Sequence, residues 1–171
     1  ANLRLLFAYM FTTPAKKLLF MGGEFGQPGE WAHEASLDWH LLDAPAHHGV
    51  LRFLEDVAGL YRDTPALHRR DADHQGFEWI DLHNASESVI SFQRWSPDGD
   101  VVAVVMNLTP VPRPNHRLAV PFPGEWRELL NSDSPDYGGS GQGTLGLVET
   151  VPVPLAGRDQ SLVLTLPPLP A

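Results

Sequence analysis

Between Glu24 and Trp39 the chain sets carboxylates and aromatic rings close together: Glu24, Phe25, Gln27, Glu30, Trp31, Glu34, Asp38 and Trp39. Carboxyl groups carry proton transfer and nucleophilic attack at acetals. Retaining chemistry on a sugar needs two of them about 5–5.5 Å apart across the scissile bond. Aromatic rings supply flat apolar walls on which the C–H face of a pyranose packs. Glu30, Glu34 and Asp38 recur every four residues and imitate an acid/base pair. That spacing specifies nothing without a second, buried carboxylate, so a solvated polar loop is the preferred reading. Glu24 directly follows Gly22-Gly23 at the end of an apolar run, where a carboxylate reads first as a structural acceptor of backbone hydrogen bonds. Phe25 and Trp31 read equally as stacking walls or as packing, and Trp39, in Leu-Asp-Trp-His-Leu-Leu, as packing. The candidate substrate-contacting set is Glu24, Phe25, Gln27 and Trp31.

Other constellations carry less. The eight histidines invite a metal site, but His33-Glu34 has Leu37 where a zinc-protease helix needs its second histidine. His47 and His48 would point about 100° apart on a helix and cannot share one ion. Tyr137–Gly143 is rich in glycine yet lacks the Gly-Lys-Ser/Thr ending of a phosphate loop, and reads as a flexible connection between strands. Arg94, Arg113, Arg117 and Arg127 are scattered, with a surface role as the default.

The elements that must position the loop come next. Leu3, Leu6, Phe7, Met10 and Phe11 predict one helix face over Asn2–Thr12, closed by Pro14. Lys17–Met21, with Leu18-Leu19-Phe20-Met21, reads as a strand buried on both faces, with the loop leaving its carboxyl end. Val50, Leu54, Val57, Ala58 and Tyr61 predict a second helix over His47–Asp63, followed by a short turn from Thr64-Pro65 to Leu67. From Phe77 the period changes to two. Strands are expected at Phe77–His83, Ser88–Ser96, Val101–Leu108, Arg117–Val120, Trp126–Asn131, Leu145–Val151 and Leu162–Leu166, with a hairpin at Pro97-Asp98-Gly99. Val101–Met106 is continuous rather than alternating, as for a strand between two packed layers. Eleven of the 16 prolines lie from Pro110 onward, which also suits an all-β second part. The order of helices and then strands predicts two folding units, divided near His68–Gly76 into residues 1–69 and 70–171.

Composition bounds the function. A length of 171 residues gives room for one domain, or a small domain plus part of another. A net charge of -9 argues against a sequence-independent hold on nucleic acid or on an anionic membrane. With no cysteine there is neither a disulfide framework nor a thiolate metal site. No apolar stretch reaches spanning length, so a soluble, cytoplasmic protein is expected.

Seven motifs, FMGGEFGQPGEW, ASLDWHLL, HHGVLRFLEDVAGLYR, GFEWID, NLTPVPR, WRELLNSDSPDYGGSG and LTLPPL, follow one another along the chain. In that order they resemble the C-terminal part of the glycogen branching enzymes, members of the alpha-amylase superfamily. The resemblance implies an α+β piece: the last α-β-α portion of a (β/α)8 barrel followed by an all-β antiparallel sandwich. It implies transfer of an α-1,4-linked glucan chain to a 6-hydroxyl through a glycosyl-enzyme ester, with no metal or organic cofactor. It also places the three reacting carboxylates before Ala1, so that no catalytic residue falls within this chain and the chain alone is expected to be inactive.

The partners so implied are an α-glucan, through the intact enzyme, and the rest of the barrel. A core-type strand and helix without neighbours would expose an apolar patch and bare edges. That predicts self-association, a swapped arrangement or disorder of the first 40 residues. Two alternatives stand beside this reading. One is a non-catalytic carbohydrate-binding sandwich with Phe77, Trp79, Trp95 or Trp126 as its platform. The other is part of a hydrolase of the same superfamily.

Overall fold

Helices on one side and strand pairs on the other enclose a three-stranded sheet. The computed structural model describes residues 1–144 and 146–169. Helix α1 (Asn2–Thr12) and helix α2 (Pro45–Asp63) are joined by a long loop with 3-10 turns at Gly23–Phe25 and Trp39–Asp43. Strands β1 (Phe77–Asp81), β2 (Val89–Trp95) and β3 (Val101–Asn107) form an antiparallel sheet in that order. Strand β4 (Arg113–Val120) pairs with β7 (Gln160–Leu166), and β5 (Glu125–Arg127) with β6 (Leu147–Glu149).

Each element follows from local chemistry. In α1 the buried Phe7, Ala8 and Phe11 form a stripe, and Thr13 ends the helix with its N–H on the Tyr9 carbonyl, just before Pro14. Pro45 occupies the first turn of α2, where its fixed φ suits the helix and its missing N–H costs nothing. Phe53, Leu54 and Val57 of α2 meet the α1 stripe. The β2–β3 hairpin closes through Gly99 at φ +96°, with Ser96 N–H donating to Asp100 O at 2.9 Å.

The two faces of the β1–β2–β3 sheet serve two cores. Phe92, Val104 and Met106 pack with the helices and Tyr137. Ala103 and Val105 pack with Leu118, Val120 and Leu162 of the β4–β7 pair, and with Trp126 and Val148 of β5 and β6. This double duty accounts for the unbroken apolar run of β3, which among the described strands pairs only with β2 yet is covered on both sides. It also joins the helices and the first sheet in one shared core rather than giving each its own.

Four expectations are corrected. Lys17–Met21 is not a strand: residues 16–20 have no regular structure, and Leu18 and Phe20 are 78% and 59% exposed. A strand is held by neighbours on its edges, and none of the described strands pairs with this segment. The segment that follows α1 is therefore loop, not the strand of an α-β-α unit. Tyr137–Gly143 is not a loose connection either. It opens with Tyr137, buried against α2, whose hydroxyl donates to Asp56 at 2.7 Å. A Cβ on Gly49 would come 2.6 Å from Tyr137 O, so only glycine lets α2 approach this closely.

Arg94 is fully buried instead of superficial. Its guanidinium donates to Gly76 O at 3.0 Å, to Thr12 O at 2.6 Å and to the Asp71 carboxylate. The expected strand from Leu145 is observed as Leu147–Glu149, and Leu145 lies outside the described residues.

Candidate functional site

The 16–43 loop sits on the N-terminal half of α1 and the start of α2, and its own turns decide which side chains are free. Gly22, at φ +80°, lets Phe20 O accept from Gly23 N–H at 2.8 Å and Gly22 O from Gln27 N–H at 2.9 Å. Gly26, at φ +70°, is pressed against α1: a Cβ there would stand 2.9 Å from Leu3 Cδ2. These two glycines fold the 3-10 turn carrying Glu24 and Phe25 back onto the helix pair.

The four candidate residues divide by role. Phe25 is wholly enclosed, its ring 5.4 Å from that of Trp39. Its carbonyl accepts from His47 Nδ1–H at 2.8 Å, which anchors the loop to α2. Gln27 uses Oε1 to accept from Asp38 N–H at 2.9 Å and closes the 27–38 excursion at its base. Trp31 is half exposed and stands edge-on to Phe20, with ring centroids 5.6 Å apart, and 5.7 Å from the His33 ring. Glu24 is partly exposed, and among the described residues its carboxylate takes no hydrogen bond or ion pair, contrary to the expectation of a backbone-bonded structural acid. Trp39 also departs from expectation, since it is 54% exposed although it leans on Phe25.

The structure thus brings Phe25 together with Trp39, and Gln27 with Asp38, as loop architecture. It leaves Glu24, Trp31 and Trp39 accessible on the outside. Glu30 and Glu34 are exposed on irregular backbone, so their four-residue spacing does not place them on one helical face. Glu34 stands 3.4 Å from His33 Nε2, with both side chains mostly in solvent. Among the described residues no group of three or more His, Asp or Glu side chains converges on a metal position, and no helix is long and apolar enough to cross a membrane.

Sequence reasoning missed the residues that hold this loop's helical platform to the 131–140 turns. Arg4 in α1 is buried and donates through Nε to Ser132 O at 2.7 Å and through Nη1 to Tyr137 O at 2.8 Å. Asp133 caps the same turn by accepting from Ser140 N–H at 3.1 Å and from the Ser140 hydroxyl. Burial, with the Asp56 carboxylate beside it, pushes the Tyr137 phenol well above its usual range. Lys17 donates to Thr13 O at 2.6 Å and lies over the Tyr61 ring, and burial lowers its pKa. The available signal was an arginine in an otherwise apolar helix face and another in a central strand, since buried charges of that kind are always paired.

An all-β module of strand pairs, closing on a helical platform with an aromatic loop, defines the class. The chain belongs to the family described as alpha amylase, C-terminal all-beta domain, whose profile matches residues 79–171. Over nearly its full length it is similar to the 1,4-alpha-glucan branching enzyme GlgB of Aromatoleum aromaticum, with 57% identity over 169 residues, 99% of this chain and 27% of that protein. The branching enzyme GlgB of Aquifex aeolicus is 54% identical over 170 residues (99% and 27%), and that of Cereibacter sphaeroides 54% over 169 residues (99% and 23%). The chain spans about a quarter of the length of these relatives. The similarity therefore includes the 16–43 loop as well as the strands.

Proposed function

We propose that the chain is the closing piece of a 1,4-alpha-glucan branching enzyme, which moves an α-1,4-linked chain onto a 6-hydroxyl and so builds branches in glycogen. The observation that carries this reading is 57% identity to such an enzyme across 99% of the chain. Residues 1–69 are assigned to the end of the catalytic barrel and 70–171 to the β-domain that braces it. The reacting carboxylates are assigned to the part of the enzyme outside this chain. The chain itself contributes wall and support.

In that arrangement Glu24 and Trp31 border the path of the glucan. Trp31 offers its free ring to a pyranose face and Glu24 an unpaired carboxylate to sugar hydroxyls. Phe25 and Gln27 act one step back, through the loop they hold. The exposed Leu6, Leu18, Phe20 and Met21 form the surface covered by the rest of the barrel. The test is a branching assay on amylose with the intact protein and its Trp31→Ala and Glu24→Gln variants. New α-1,6 linkages from the parent, with a raised KM in the variants, support the assignment. An intact protein that only hydrolyses amylose contradicts it.

A further inference from the structure

Helix α2 opens against two turns at once. His47 and Gly49 are two residues apart near its start and so point about 200° apart, to opposite sides. On one side Gly49 lies against the Tyr137 carbonyl, Arg52 pairs with Asp136 at 3.4 Å, and the Tyr137 hydroxyl donates to Asp56 at 2.7 Å. On the other side His47 meets the 3-10 turn Gly23–Phe25. The helix start is closed by Ala44 O, which accepts from His47 N–H and from His48 N–H, each at 3.1 Å. His47 is therefore offered to the loop by a segment that the Pro135–Tyr137 turn holds from behind.

The bond that His47 makes fixes its tautomer. Phe25 O can only accept, so the imidazole carries a proton on Nδ1 and donates it at 2.8 Å. Phe25 is wholly enclosed, and among the described residues no other donor reaches its carbonyl. A buried carbonyl keeps a partner or the backbone around it moves. Glu24 directly precedes Phe25 in this turn, and its carboxylate makes no bond of its own among the described residues. Its placement thus rests on the backbone: Gly26 N–H on Gly23 O at 3.1 Å, and Phe25 O on His47. Trp31 has other supports. Its ring leans on Phe20 and His33, and its stretch is closed by Gln27 and Asp38.

We propose that His47 is the positioning residue for Glu24: its Nδ1–H holds the Phe25 carbonyl and so aims the Glu24 carboxylate at sugar hydroxyls, while Trp31 is placed independently. This assignment rests on the glucan contact of Glu24 proposed above. A carboxylate aimed wrongly loses its grip on substrate and transition state alike, so the loss falls on KM rather than on kcat. Two separate supports also couple differently. Damage at His47 duplicates damage at Glu24, because both remove one contact, and adds to damage at Trp31.

The test uses the intact protein in the branching assay on amylose, with His47→Leu, His47→Asn, Glu24→Gln and Trp31→Ala, and with His47→Leu combined with each of the last two. Asparagine sets its amide N–H where the Nδ1–H stood, whereas leucine fills the space without a donor. The expected result is a KM raised about tenfold by His47→Leu, with kcat kept within about twofold. His47→Asn should return KM towards that of the parent. His47→Leu with Glu24→Gln should be no worse than Glu24→Gln alone, and with Trp31→Ala should give the product of the two single effects. Hydrogen exchange of the intact protein, read by mass spectrometry, should rise over residues 22–27 in His47→Leu, return in His47→Asn and stay unchanged over residues 132–140. An unchanged KM in His47→Leu, an asparagine variant as poor as the leucine one, or a multiplied loss with Glu24→Gln overturns the proposal. Exchange that rises over residues 132–140 as well makes the bond a general support of the fold and overturns it too. If Glu24→Gln keeps the parent KM, the glucan contact is wrong and the role of His47 falls with it. A raised KM there beside a normal one in His47→Leu leaves that contact standing and removes His47 alone.

Discussion

Two regions of the molecule end up in opposite conditions. The buried guanidinium of Arg94 and the phenol of Tyr137 find partners from distant parts of the chain: Thr12, Gly76 and Asp71 for the arginine, Asp56 for the tyrosine. At Leu18–Met21 four large apolar side chains stand at least 40% exposed, on backbone that joins no sheet. Hydrophobicity alone therefore did not decide burial. What decided it was whether a complementary surface lay within reach, apolar for the side chains and hydrogen-bonding for the backbone.

The comparison breaks most readily at its tight end. Arg94→Ala leaves the Asp71 carboxylate and two carbonyls without their buried donor, and should cost about 3–5 kcal/mol. Urea unfolding monitored by tryptophan fluorescence checks this, and a loss under 1 kcal/mol on the same scale would mean that the cluster is dispensable. Gly49→Ala drives a methyl into Tyr137 O and should cost about 1–3 kcal/mol by the same measurement.

The phenol gives a pH signature at the same junction. Tyr137 is held protonated in the fold above its ordinary pKa of 10.0. The folded state thus keeps a proton that the unfolded chain gives up, and stability is lost as pH rises above 10.0. Tyr137→Phe should flatten that alkaline decline while lowering stability near neutrality by about 1.5–3 kcal/mol through the lost bond to Asp56. His116 works in the opposite direction. Its pKa is lowered from 6.5, so the unfolded chain takes up a proton that the fold refuses, and stability falls as pH drops below 6.5. Urea midpoints across that range, for the parent and His116→Asn, should differ in slope. At the loose end, Trp31→Ala removes a half-exposed ring and should change stability by no more than about 0.5 kcal/mol. A larger loss would show that the loop packs more tightly than its exposure implies.

The regular elements were legible because their signals are local. The α1 stripe, the proline opening α2, the Asp98-Gly99 hairpin and the doubly covered β3 all announce themselves in a window of ten residues or fewer. Lys17–Met21 shows where such windows fail. An apolar run gives a segment the capacity for a strand, but pairing is a property of two segments. The loop at Tyr137–Gly143 failed in the other direction. Its glycines suggest slackness, whereas Gly139, like Gly49, is there because another backbone passes too close for a Cβ. In the candidate site, the sequence picked the right loop but could not separate Phe25 and Gln27, which hold it, from Glu24 and Trp31, which it presents. That separation depends on His47 and Asp38, 22 and 11 residues away.

The account's central claim is that this chain supports glucan branching without performing it. Incubating equal molar amounts of the intact protein and of the 171-residue chain with amylose, and counting new α-1,6 linkages by NMR, tests it most directly. The account predicts branch points from the intact protein and none from the chain. Branch points formed by the chain alone would contradict it.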